Sequence, residues 1–423
     1  MSKLDELIAE LCPNGVEYKS LGEIATIARG GNFQKKDFCD RGVPCIHYGQ
    51  IYTKYGLFTD KTITFITEER AKKQKFAKTN DIIMAVTSEN IEDVCKCLAW
   101  LGNEDVAVSG HSAIISHNQN PKYLVYYFHS QIFFTQKRKL AHGTKVIEVT
   151  PDTLKSIKLP VPPLEVQREI VHILDSFTLL TAELTAELTA RKKQYEFYRD
   201  NLIKKEQHIS EVKKLADVAN IYDSLHQTPS YSNSGYSMVR VQDIKGGYLD
   251  EDKTLKVDES VWNLFTQKYT PRLNDIVVSR VGSYGNFALI PNDKCCLGQN
   301  VALIHPNINP KYLYHVLMST MTKQWINNNV KGASQKSFSL ADIKRVPVPV
   351  PKENIQQRIA EVLDNFEAIC TDLNIGLPAE IEARQKQYEY YRDLLLTFAE
   401  TGSTLMTDRQ TDRQTDRQTD RQT

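Results

Sequence analysis

Nine residues recur almost unchanged in this chain, Lys192-Lys193-Gln194-Tyr195-Glu196-Phe197-Tyr198-Arg199-Asp200 and Gln385-Lys386-Gln387-Tyr388-Glu389-Tyr390-Tyr391-Arg392-Asp393, 193 positions apart. So long a match is not accidental, and a duplicated chain folds as two related units. Upstream anchors agree: Leu159-Pro160-Val161-Pro162 matches Val348-Pro349-Val350-Pro351, and Leu174-Asp175-Ser176-Phe177 matches Leu363-Asp364-Asn365-Phe366, both at an offset of 189. Fainter matches join the rest: Glu17, Lys19 and Leu21 with Glu211, Lys213 and Leu215, Asn80-Asp81-Ile82 with Asn274-Asp275-Ile276, and Asn120-Pro121-Lys122-Tyr123-Leu124 with Asn309-Pro310-Lys311-Tyr312-Leu313. The frame repeats while the residues between the anchors differ, as in two readers of different targets.

From Pro163 onward Ile170, Ile173, Leu174, Phe177, Leu180, Leu184, Leu188, Tyr195, Tyr198 and Leu202 keep spacings of three, four or seven. That predicts a long amphipathic helix with a narrow stripe, started by Pro160, Pro162 and Pro163. Ile359, Val362, Leu363, Phe366, Ile369, Leu373, Ile381, Tyr388, Tyr391 and Leu395 form a second stripe, and Gly376 and Pro378 predict a break in it. Each stripe needs cover, and the simplest partner is the other, in an antiparallel pair with the two remaining blocks at opposite ends. Those blocks are richer in β signals, such as Asp81 to Val86, Ala113 to Ile115 and Asp275 to Ser279, with short helices expected at Pro121 to Ser130 and Pro310 to Thr320. The fold class expected is α+β with an internal pseudo-twofold repeat: two tandem α+β domains separated and followed by long helices that pair as an antiparallel coiled coil. The boundaries expected are 1–158, 159–206 (spacer helix), 207–347, 348–400 (C-terminal helical region) and 401–423 (tail).

The formal net charge of +1 over 423 residues, taken whole, argues against a nucleic-acid partner. Taken by segment it does not: +3 over 1–163, −1 over 164–206, +4 over 207–353, −5 over 354–400 and 0 over 401–423. The two β-rich blocks are the basic ones. Their excess is modest, so part of any phosphate contact is expected from partner chains. No apolar run approaches a membrane span, and Met1 to Leu21 lacks signal-peptide features, which predicts a cytoplasmic chain with no membrane partner. Eight cysteines without a C-x-x-C pair predict free thiols and no metal site.

Catalytic signatures are missing. No N/D-P-P-aromatic tetrapeptide, P-loop or dinucleotide fingerprint occurs, so no catalytic residue is assigned and the chain alone is expected not to be an enzyme. Ser109-Gly110-His111-Ser112 lacks an orienting carboxylate, and His47, His111, Cys95 and Cys97 fit no standard ligand set. Lys72-Lys73-Gln74-Lys75 is read as a solvated helix face. DNA contact has better candidates: Asn32, Gln34, Lys35, Lys36, Tyr48, Gln50, His142 and Lys145 in the first block, and Arg240, Gln242, Arg280, Lys331, Ser334, Gln335 and Lys336 in the second. Arg and Lys suit guanine edges, Gln and Asn suit adenine, and Lys on loops suits phosphate. Helix pairing is assigned to Leu174, Phe177, Leu184, Leu188, Tyr195, Leu363, Phe366 and Tyr388.

Two divergent blocks, each followed by P-x-P, a helix with L-D-x-F and a K-Q-Y-x-aromatic-Y-R-D close, resemble the specificity subunit of type I restriction-modification systems over nearly the whole chain to about residue 400. Thr181-Ala182-Glu183-Leu184 and Thr185-Ala186-Glu187-Leu188 resemble the subgroup with TAEL-type spacer repeats. The resemblance implies two target recognition domains, each reading half of a bipartite asymmetric site in double-stranded DNA, and helices that dock two modification (methyltransferase) subunits. It further implies restriction subunits acting as an ATP-dependent translocase and nuclease, with S-adenosylmethionine, ATP and Mg2+ all on partner subunits and no cofactor in this chain. One tetrapeptide lengthens a helix by about 6 Å, so repeat number is expected to set the unread gap. A coiled-coil adaptor with two binding modules that do not bind DNA is the alternative, and it leaves the nine-residue repeats unexplained. The tail departs from the pattern: residues 407–422 are four copies of Thr-Asp-Arg-Gln, expected to be disordered. The codons ACA-GAC-AGA-CAG for that unit are also a run of ACAG, a tract prone to slippage.

Overall fold

The computed structural model describes residues 2–244, 247, 249, 251–330, 336–372 and 375–401. The chain divides into two compact units: one holds residues up to Glu183 together with those from Glu382 onward, the other Leu184–Ile381. This differs from the segment boundaries expected, because each unit draws on two helices that belong to different repeats. Both junctions fall inside helices, the first within the tetrapeptide repeat.

In the first unit Ile82–Ala85 is a central strand buried on both faces. Ile82 and Met84 pack into the core beneath helix Pro121–Phe128, while Ile83 and Ala85 face a second core with Ile46, Leu98 and Val108. Burial on both faces explains the unbroken apolar run. The strand sits in a five-stranded sheet with Ala25–Arg29, Ser112–His117, Cys97–Trp100 and Phe58–Thr59; a second five-stranded sheet centres on Val43–Ile46. The second unit repeats the core of this plan: Ala219–Asp223, Val301–Pro306, Ile276–Ser279 and Phe287–Leu289 form one sheet, and Leu255–Val257, Tyr236–Val239 and Cys295–Leu297 the other.

The repeated sequence anchors become repeated contacts. Asn80 and Asn274 take positive φ, 73° and 68°, in the turns that enter the central strands, and Asp81 and Asp275 each accept from the backbone N–H three residues back, at 2.8 Å. Asn120 and Asn309 cap helices Pro121–Phe128 and Pro310–Met318 with proline in the first turn. On those helices Lys122 pairs with Asp175 and Lys311 with Asp364, while the Tyr123 and Tyr312 hydroxyls donate to the Pro160 and Pro349 carbonyls at 3.0 and 2.9 Å. Gln167 and Gln356, which no spacing argument singled out, tie the same corners: each accepts from the capping Asn N–H and donates to a proline carbonyl, Pro162 or Pro351, at 2.8 Å.

The spacer helix is one element, Leu164–Ile209, starting directly after Pro163. The second helical block is broken as expected, into Glu353–Thr371 and Leu377–Thr401. A Cβ on Gly376 would lie 2.6 Å from the Asp372 carbonyl oxygen, so glycine is needed at the break. In the first unit Phe177 stacks on Tyr391 at 5.4 Å; in the second Tyr198 meets Phe366 at 5.5 Å. Within the second unit Tyr198 meets Phe366 while Lys192 and Arg191, earlier on the spacer helix, lie near Cys370, later on its partner, the order of an antiparallel pair. Leu174, Tyr195, Leu363 and Tyr388 are buried and Leu184 and Leu188 half-buried. Tyr198, Val362 and Ile369, expected in the seam, are exposed at 43%, 42% and 44%, and Leu373 lies outside the described residues.

Candidate nucleic-acid interface

In the first unit the loops carrying the expected DNA contacts are tied to one another. Gly30 and Gly31 run so close to neighbouring chain that a Cβ would sit 2.2 Å from the Ser109 carbonyl and 2.3 Å from Gln74 Oε1. Beyond them Asn32, Gln34, Lys35 and Lys36 are exposed, anchored by buried Phe33 and by the Arg70 guanidinium, which donates to the Asn32 carbonyl and faces Asp37. The Tyr48 N–H donates to Ser109 Oγ at 2.9 Å, and its ring lies 4.5 Å from that of His47 and 4.9 Å from that of His111. His111 Nδ1 is 3.1 Å from Thr87 Oγ1, and the Tyr52 hydroxyl donates to the Thr87 carbonyl at 2.7 Å. His142 and Glu148 exchange backbone hydrogen bonds around a tight turn that leaves Lys145 exposed, and Glu148 pairs with Arg29. Loops remote in sequence thus share one surface with cations, amides and imidazoles on it.

His47 is buried, and burial, followed by the charges of Lys35 and His111, pushes its pKa down to about 4. It is therefore neutral at pH 7, with Nδ1 accepting from the Gly49 N–H, which places any proton on Nε2.

Three of the expected readers have internal work. Gln50 is buried: its Oε1 accepts from the His47 N–H at 2.9 Å and its Nε2 donates to Thr64 Oγ1 at 3.1 Å, closing the N-terminus of helix Tyr48–Thr53. Arg240 grips Asp243 through Nε and Nη2, both at 3.0 Å, beside the exposed Gln242. Arg280, its side chain 14% exposed, pairs with Asp223. A side chain held this way orders a loop and has less freedom to follow a base edge. Lys336 is exposed next to Ser337, which bridges Val281. Lys331, Ser334 and Gln335, like the Thr-Asp-Arg-Gln tail, lie outside the described residues. Lys72-Lys73-Gln74-Lys75 forms no helix face: helix Glu68–Ala71 ends before it, and Lys75 opens a strand. Sequence reasoning weighed His111 only as a catalytic or metal-binding group and passed over Arg29 and Arg70 as contacts; the adjacency of Arg29 to Gly30-Gly31 was the one signal toward them.

All eight cysteines are free thiols and seven are buried. Among the described residues His315, Asp364 and Glu367 are the group whose ligand atoms come close enough for a metal ion, within 4.8 Å. Each already has a protein partner: Tyr195 on His315, Lys311 on Asp364 and Tyr314 on Glu367. No helix among the described residues is long and apolar enough to cross a membrane.

A family model described as the type I restriction modification DNA specificity domain matches twice, over residues 13–191 and 209–383. The specificity subunit of the Escherichia coli type I restriction enzyme EcoR124I/EcoR124II is 36% identical over 258 residues, which cover 58% of this chain and 63% of that relative. A putative type I restriction enzyme specificity subunit from Haemophilus influenzae is 29% identical over 313 residues, 71% of this chain and 77% of that one. A solved chain, from the structural basis of complex assembly and conformational transition of the type I R-M system, has the same fold with a TM-score of 0.55, 16% identity, and coverage of 92% here and 98% there.

Proposed function

The chain belongs to the type I restriction modification DNA specificity family, and we propose from that premise that it is the sequence-reading subunit of a restriction-modification complex. Each α+β domain reads one half of a bipartite site in double-stranded DNA, and the helices set the gap and dock two modification subunits. Methyl transfer from S-adenosylmethionine and ATP-driven, Mg2+-dependent cleavage belong to the modification and restriction partners. The complex works in the cytoplasm.

One observation carries this reading: the two units share a scaffold contact for contact, while the surface loops on it differ. The Asn caps, the Lys–Asp pairs and the Tyr-to-proline bonds are duplicated, yet helix Tyr48–Thr53 gives way to a single 3-10 turn, Val241–Asp243. Such a pair suits one assembly reading two different sequences. An adaptor that does not bind DNA has no specific observation in its favour.

Methylome sequencing of cells expressing the chain with its modification partner tests the proposal. A split motif with adenine methylation in both halves is expected, and none with the chain omitted. Methyl transfer by the purified chain alone overturns the division of labour.

A further inference from the structure

The most strongly repeated segment of the sequence makes the same contact in both units. In the second, Asp200 accepts from the Thr320 N–H at 3.0 Å and from the Thr320 hydroxyl at 2.5 Å. Thr320 is the first residue of helix Thr320–Asn329, whose own cap, Ser319, accepts one residue pair further on, from Thr322. In the first unit Asp393 accepts from the N–H of Gln131, first residue of helix Gln131–Leu140, at 3.1 Å, beside the cap Ser130. Asp200 and Asp393 are 193 positions apart, yet each closes the N-terminus of the corresponding helix.

The neighbouring residues hold each carboxylate in place. Arg199 and Arg392 donate to the following Asp through Nε at 3.1 Å, with their guanidinium groups 5.3 and 5.5 Å from the ring centroids of Tyr195 and Tyr388. Both tyrosines are buried, Tyr195 against His315 and Tyr388 against Tyr126. An aspartate aimed by an arginine that is itself clamped on a buried ring is preorganised, and a charged cap on otherwise unpaired helix N–H groups is both directional and strong.

We infer that Asp200 and Asp393 are positioning residues that seat each recognition domain on its helices, and that they act crosswise: the copy near the C-terminus seats the first domain, and the copy in the spacer helix seats the second. The inference rests on the proposed DNA reading for its consequence. A domain free to rock on its helices reads the same bases but tolerates a different gap.

The test compares Asp393→Ala, Asp200→Ala and the cap-preserving Asp393→Asn in the full-length chain. Hydrogen exchange should quicken about tenfold in Gln131–Leu140 for Asp393→Ala alone and in Thr320–Asn329 for Asp200→Ala alone, with Asp393→Asn close to wild type, since an amide oxygen also caps. Methylomes of cells expressing each alanine variant with the modification partner should keep both half-site sequences and gain sites whose gap differs by one base pair. Quickened exchange in the other helix overturns the crosswise assignment. Quickened exchange with an unchanged gap overturns the positioning role. A wild-type chain that yields no split motif removes the DNA reading itself, while the exchange pattern still decides whether the contact seats a domain.

Discussion

Arg280 has the chemistry of a guanine reader, but its guanidinium is held by Asp223. Paired with Asp223 and mostly buried, it stabilises the corner where strands Ala219–Asp223 and Ile276–Ser279 end. Arg280→Ala leaves Asp223 with His226 alone, so it should destabilise the second unit by about 1–3 kcal/mol in denaturant unfolding while the methylated motif stays the same; an altered motif at unchanged stability makes Arg280 a base reader. Histidines carry a second effect at this scale. Burial lowers the pKa of His47 and His129 to about 4 and lowers that of His117. Between the unfolded value near 6.5 and the folded one, the unfolded chain binds the extra protons, so stability rises with pH there. The first unit should hold full stability above pH 6.5 and lose it progressively toward pH 4, read as a falling Tm; a flat Tm across that window contradicts the burial argument. Gln50 and Arg280 show why residue roles were poorly legible: chemistry at a position is visible in a sequence, but its hydrogen-bond partner lies 14 and 57 positions away respectively.

Among the elements, the spacer helix was the most legible. Its start after Pro163 and the break at Gly376 follow from proline and glycine chemistry that acts within a turn. Exposed Tyr198, Val362 and Ile369 were not legible, since a heptad stripe marks what a helix can bury and not how wide its partner is. The tetrapeptide repeat leaves Thr185, Ala186 and Glu187 exposed between half-buried Leu184 and Leu188, so few packing contacts fix its length. Deleting Thr185 to Leu188 should shorten the helix by about 6 Å and shorten the unread gap of the methylated motif, with both half-sites intact. Changed half-sites at an unchanged gap would assign the repeat some other task.

On the scale of the whole molecule, near-neutral net charge conceals basic recognition blocks and acidic helices. Chain order is just as misleading about which parts depend on one another. Tyr388, Leu395, Leu396 and Phe398 sit in the core of the first unit, so a stop after Ile381 should damage the domain at the other end of the sequence. Losing four buried side chains, each about 1.5–3 kcal/mol, is more than a domain of marginal stability withstands. Limited proteolysis should cut the first unit of that truncation first; earlier cutting in the second unit would contradict the assignment. The sequence by itself determined the duplication, the helices, their break and the α+β class, because those are written in local spacing and in residues that recur at a fixed offset. Tertiary structure alone decided which repeat serves which domain, and which of the candidate polar side chains are already held by partners within the chain. The first is settled by contacts that span 120 and 262 positions, the second by partners 3, 14 and 57 positions away, and in both burial and charge pairing depend on how the chain is folded, which local spacing does not record.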